Sequence, residues 1–209
     1  MKPLLLLLAA VFLPTFLFAP TSGAGWFWDA GNGLGFVAFA GLLYLGITSF
    51  RRIDVRAHRL LGFAVLLVAV AHALWFLLGD AAAIEYIKFS APAYMWLGVI
   101  GLILLFVLVI ISLVPDRLRV HKDYPMFLYW HRVLAIGLVA CCAYHIVVSG
   151  FYLAKPYQVV LFVAVATAAS LGRSWWIKFG PLNVVTPAML LLITVLFSSI
   201  FSLIRNFPL

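Results

Sequence analysis

Charge is what this sequence has least of. Only 10% of its 209 residues are charged, and just six residues are acidic. A soluble domain is about a quarter charged and about half apolar, whereas 67% of this chain is hydrophobic. The shortage excludes a soluble globular enzyme, a disordered tail and a collagen-like fibre. It also leaves no stretch polar enough to build a soluble nucleotide-binding domain. Cysteine is scarce too. Cys141 and Cys142 are the only two, side by side in an apolar run, so neither a disulfide framework nor a four-ligand zinc site is available. No segment repeats at a fixed period and no long polar linker divides the chain, so residues 1–209 read as a single integral membrane domain.

What the chain has instead is long apolar runs. Seven segments, about 3–19, 30–50, 58–78, 92–114, 126–149, 156–172 and 184–204, approach the roughly 20 residues that cross a bilayer as a helix. Strands of a membrane barrel alternate apolar and polar residues; the run from Val99 to Val114 is continuously apolar. Gly79-Asp80, Pro92, Pro115-Asp116, Lys155-Pro156 and Gly180-Pro181 punctuate the ends of the runs. The fold class is therefore all-α: a polytopic transmembrane helix bundle of about seven spans.

The net charge of +8 is topological. The basic residues lie between apolar runs, so they give no reason to expect nucleic acid as a partner; the partner is membrane lipid. One side holds Lys2, Arg51, Arg52, Arg56, Arg59, Arg117, Arg119, Lys122, Arg132, Arg173 and Lys178, eleven residues, against Lys88, Lys155 and Arg205 on the other. The richer side is expected to be cytoplasmic. That orientation puts the N-terminus inside and the C-terminus outside, in a membrane such as the bacterial plasma membrane. Lys2, Leu4–Ala19 and Ser22-Gly23-Ala24 also have the form of a cleavable signal. Pro14 within the run favours a retained span, and both readings leave Trp26 outside.

Histidine carries the chemistry. His58 and His72 stand 14 residues apart on the third segment, and His131 and His145 stand 14 apart on the fifth. An ionisable residue inside a span is a functional hypothesis by default. Fourteen helical residues rise about 21 Å and return to nearly the same face. Both segments run from inside to outside, so His58 is expected to face His131 near the cytoplasm and His72 to face His145 near the outside. Two facing pairs of imidazoles can hold two b-type haems by axial ligation, with each histidine a metal ligand. No Cys-x-x-Cys-His is present for covalent attachment.

The flanking residues allow two readings each. Gly62, Ala69, Ala135 and Cys142 lie about one turn inward from the histidines, where small side chains make room for a porphyrin or simply let helices pack closely. Arg56, Arg59 and Arg132 beside the inner pair are cationic partners for haem propionates, or topology signals alone. The outer pair has only Lys88 and Lys155 as nearby cations. Met95, Met126 and Met189 form no cluster with the histidines, which sets copper below haem. His121 reads as an exposed loop residue, the cysteines as packing residues, and Gly31–Gly35 as a loop and helix start. All six acidic residues fall in loops or at span ends.

The stretches GLGFVAFAGLLYLGITSFRR (33–52), HRLLGFAVLLVAVAHALW (58–75) and YWHRVLAIGLVACCAYH (129–145) resemble the ferric-reductase-like transmembrane domain. That domain is shared by ferric reductases, NADPH oxidases and the YedZ-like bacterial haem subunit of the methionine sulfoxide reductase system. The resemblance covers about residues 26–172. It implies a six-helix haem core, with 184–204 as an additional C-terminal helix. It also implies that the third- and fifth-segment histidines bind two haems and carry electrons outward. The bacterial subunit does not always keep the inner third-segment histidine; His58 moves this chain toward the two-haem pattern. The reductases and oxidases continue into flavin- and nicotinamide-binding domains, but here Arg173–Asn183 leads to another apolar segment, and no dinucleotide fingerprint follows a strand.

The expected function is thus an oxidoreductase that moves electrons across the membrane. The donor would be a separate flavoprotein, free reduced flavin or quinol. The acceptor would be an outer ferric chelate, a partner protein or dioxygen. Two alternatives belong to other classes. One is a haem membrane-anchor subunit relaying electrons between quinone and a partner reductase. The other is a proton or metal transporter, for which inverted repeats and intramembrane carboxylates are lacking.

Overall fold

The structure, a computed structural model, describes residues 25–47, 55–113, 124–172, 176 and 185–207. They form six helices: α1 (Trp26–Ile47), α2 (Val55–Gly79), α3 (Ala93–Leu113), α4 (Tyr124–Ser149), α5 (Pro156–Leu171) and α6 (Pro187–Asn206). A short 3-10 helix, Ala81–Ile87, joins α2 to α3, and among the described residues there is no strand. In a bilayer no water satisfies the backbone polar groups, and a helix satisfies them within its own segment, which is why the apolar runs become helices. All but α5 are long and apolar enough to cross a membrane; α5 has 16 residues. The chain is an integral, multi-pass membrane protein. The first apolar segment, His121 and the cations Lys2, Arg51, Arg52, Arg117, Arg119, Lys122, Arg173 and Lys178 lie outside the described residues.

α1 is the axis of the bundle. Val37, Ala40, Leu43 and Tyr44 are fully or almost fully buried. α6 and α2 pack along it, and α5 and α4 touch it. Phe39 stacks on Phe162 of α5 with ring centroids 5.1 Å apart. The helix begins a turn earlier than the apolar run suggests, and Gly31–Gly35 lie inside it rather than in a loop. These glycines are contact points. A Cβ on Gly31 would stand 2.6 Å from the side chains of Trp75 and Phe76, and one on Gly33 would stand 3.0 Å from Cα of Ser198. Glycine costs a helix about 1 kcal/mol relative to alanine, and close approach of neighbouring helices offsets that cost.

α6 is anchored by its own cap, the Thr186 hydroxyl accepting from the Met189 amide at 3.2 Å. α4 sits at the edge of the bundle, packed chiefly on α3. A Cβ on Gly101 of α3 would meet the Cys142 sulfur at 2.8 Å. Cys142 is therefore in close packing with α3, and both cysteines are free thiols. Tyr129, Val133, Ile136, Tyr144 and Val148 of α4 are exposed, as suits a face turned to lipid. The main neighbours of α2 are α1 and α3. The two histidine-bearing helices, α2 and α4, thus stand either side of a gap bounded by α1 and α3.

Candidate functional site

His72 of α2 and His145 of α4 line one cavity of about 410 Å³ in that gap. Both rings are tied to a neighbouring helix. His72 Nδ1 donates to the Gly31 carbonyl at 2.8 Å, and His145 Nδ1 donates to the Tyr94 carbonyl at 2.9 Å. A carbonyl oxygen can only accept, so the proton is on Nδ1 and the lone pair is on Nε2. Metal-binding histidines are held by this kind of second bond. Ala69 and Cys142 line the cavity, as do Gly35, Gly98 and Gly101. Met95 lines it too, so one thioether does stand near the outer histidines, although the sequence puts the methionines in no cluster with them.

His58 of α2 and His131 of α4 face each other at the other end, ring centroids 6.1 Å apart and planes tilted by 58°. The two pairs occur in the same order along both helices, so α2 and α4 run in the same direction with the histidines at matched depth. Phe127 stacks on His131 at 5.6 Å. A pocket beside His131, lined also by Leu108, Phe127 and Trp130, measures about 20 Å³. A Cβ on Gly62 would stand 4.0 Å from the Val109 side chain of α3, which is ordinary helix packing. Arg56 and Arg132 are exposed and Arg59 is half-buried, all within two residues of an inner histidine.

A polar cluster adjoins the outer cavity. Asp29, in the first turn of α1, is completely buried. Its Oδ1 lies 3.1 Å from Arg205 Nε and accepts from the Tyr152 hydroxyl at 3.1 Å. Its Oδ2 accepts from Asn206 at 3.0 Å. Asn32 donates to the Tyr152 oxygen at 3.0 Å, and the Arg205 guanidinium lies over the Tyr152 ring at 5.1 Å. Burial first, and then Asp29 beside it, push the Tyr152 hydroxyl pKa up, so this group stays a donor. Asn32 and Tyr152 themselves line the cavity. The sequence reading missed this cluster. By sequence Asp29 falls in a loop or at a span end and Arg205 among the three cations of the outer side, yet the structure buries them as a pair inside the bundle. Lys88 pairs instead with Glu85, and both side chains are exposed.

Residues 54–142 match the family described as the ferric reductase like transmembrane component. This stretch is ferric-reductase-like. It takes in α2, α3 and α4 as far as Cys142, and so holds His58, His72 and His131, while His145 stands one turn beyond. α1, α6 and the Asp29–Arg205 pair lie outside the match. The likeness is to a family of membrane oxidoreductases. No curated protein and no solved structure matches the chain.

The outer site has features that suit a porphyrin. Its volume falls in the range of about 300–1,000 Å³ typical of cofactor pockets. Its walls are mostly apolar with glycine and alanine among them, and two imidazoles present Nε2 lone pairs. The inner pair meets one of the two requirements. Two imidazoles on opposite sides of one metal, with bonds of about 2 Å, have ring centres roughly 6 Å apart, as His58 and His131 do. The pocket beside His131, about 20 Å³, is far smaller than a macrocycle. Among the described residues no three His, Cys, Asp or Glu side chains converge.

Proposed function

We propose that this chain is a transmembrane electron-transfer oxidoreductase holding two b-type haems, one on His72 and His145 and one on His58 and His131. The observation that carries the proposal is the outer pair: two imidazoles from parallel helices, both held through Nδ1, lining one apolar cavity. Bound haem would supply one-electron chemistry. The chain's residues do the rest. His72 and His145 would ligate through Nε2, and the carbonyls of Gly31 and Tyr94 fix their orientation. The cavity wall excludes water and lowers the local dielectric. Arg56, Arg59 and Arg132 would neutralise propionates at the inner end.

Electrons enter at the inner, cytoplasmic end and leave at the outer end, toward a ferric chelate or a partner protein. The direction rests on the eleven-to-three excess of basic residues on one side. The donor is a separate flavoprotein, free reduced flavin or quinol. The bacterial plasma membrane is the location that fits this orientation. The test is a pyridine-haemochrome assay on purified protein, scaled to protein concentration. Two b haems per chain are expected. A value near one would remove the inner site, and absence of a b-type spectrum would reject the proposal.

A further inference from the structure

The two outer histidines are held by the same local device on two different helices. His72 bonds the carbonyl of Gly31, and the residue one turn later on α1 is Gly35. His145 bonds the carbonyl of Tyr94, and the residue one turn later on α3 is Gly98. In an α-helix the carbonyl of residue i points along the axis toward residue i+4, whose amide it already accepts. A ring that approaches the same oxygen from a neighbouring helix must therefore lie across position i+4. A Cβ on Gly35 would stand 2.8 Å from His72 Cε1 and 2.9 Å from Nδ1. A Cβ on Gly98 would stand 3.0 Å from His145 Nδ1 and 3.1 Å from Cε1. In both cases the imidazole occupies the space a side chain would fill.

The geometry points to Gly35 and Gly98 as positioning residues for the outer histidine pair. Each lets an imidazole lie against a neighbouring helix, where the carbonyl one turn upstream holds its Nδ1 proton. Both rings are thereby locked in the tautomer that keeps a lone pair on Nε2. The device is absent from the bare histidine spacing, because both glycines lie on helices without histidines. Gly35 also lies outside the ferric-reductase-like match. The two contacts are graded. At Gly35 an added methyl overlaps the ring outright and His72 has to move. At Gly98 a displacement of a few tenths of an ångström suffices, so Gly35→Ala should act more strongly.

The consequence for ligation rests on the haem reading; the consequence for the tautomer does not, so two readouts are needed. The first uses protein selectively labelled with ¹⁵N-histidine, with the His72 and His145 signals assigned by His→Gln variants. In haem-free wild-type protein both rings should show the Nδ1-protonated tautomer. Gly35→Ala should shift the His72 signal to a mixture and leave His145 unchanged; Gly98→Ala should do the converse, more weakly. The second readout is a redox titration of haem-loaded protein followed optically. Gly35→Ala should weaken retention of the outer component about tenfold or more, as loss of outer-shell support does, and should leave the inner component alone. Gly137→Ala on α4 is the control, because a Cβ there meets nothing within 4 Å. If Gly35→Ala does not fold, Gly98→Ala carries both readouts. Unchanged tautomers and an unchanged outer component in the glycine variants would overturn the inference. A wild-type protein with the expected tautomers but no b-type spectrum would instead reject the haem reading and leave the glycine assignment standing.

Discussion

The two ends of the bundle solve the same problem unequally. At the outer end both imidazoles are fixed by carbonyls, beside a cavity of about 410 Å³ and next to a buried ion pair. At the inner end the ring centroids stand 6.1 Å apart, the pocket beside His131 is about 20 Å³ and the nearby arginines are half-buried or exposed. The outer site is preorganised by helices that carry no histidine, α1 and α3. At the inner end the rings of α2 and α4 meet each other, and Phe127 stacks on His131. Preorganisation therefore comes from neighbouring helices rather than from the ligands, and equal spacing in sequence does not make two sites equal.

The comparison can be broken most forcefully at Asp29. Asp29→Ala leaves the Arg205 guanidinium buried without its carboxylate. Removing one partner of a buried pair costs about 3–5 kcal/mol, so the thermal midpoint in detergent should fall steeply. The inner counterpart, Arg56→Ala or Arg132→Ala, should stay within about 0.5 kcal/mol, because these side chains are exposed. Equal losses at the two ends would contradict the contrast drawn here.

A smaller effect is expected at Tyr152→Phe. The ring stays, but the hydroxyl that joins Asp29 to Asn32 is lost, at about 1–3 kcal/mol for polar groups left short of a partner. Because Tyr152 lines the outer cavity, the outer haem component should also shift in potential while the inner one does not. The smallest effect concerns pH. The Tyr152 pKa is raised above the ordinary tyrosine value, chiefly by burial and then by Asp29. Its contribution to stability is complete below the pKa of the unfolded chain and is lost as pH rises toward the folded value. Wild type should lose stability above about pH 10 more steeply than Tyr152→Phe; parallel alkaline limbs in denaturant titrations would refute this.

Much of the architecture was legible because helices in a bilayer leave plain marks. Apolar runs, Pro and Gly punctuation and the spacing of 14 located α2 to α6 to within a few residues and placed the histidines in two facing pairs. The start of α1 was harder to place. Trp26 to Asp29 precedes the apolar run, and Gly31–Gly35 look like a loop until their contacts with Trp75, Ser198 and His72 are known. Asp29 reads as a solvated end residue because its partner, Arg205, is on the last helix. One trace of the cluster was available: Asp29 and Asn32 share a face of α1, as Ser202, Arg205 and Asn206 do on α6. The glycines that support the histidines carry no signal of their own, since a glycine beside a ring looks like any other glycine in a packed membrane helix.

Two distinct haem sites, with the histidines paired at matched depth, are what we propose. Redox difference spectra of single variants test this proposal most directly. His72→Ala and His145→Ala should remove the same spectral component, and the double variant should lose little more, because both act on one site. His131→Ala and His58→Ala should remove the other component and leave the outer one chemically reducible. If His72→Ala and His131→Ala instead abolish one shared component, the pairs form diagonally, and the account of two stacked sites between parallel helices fails.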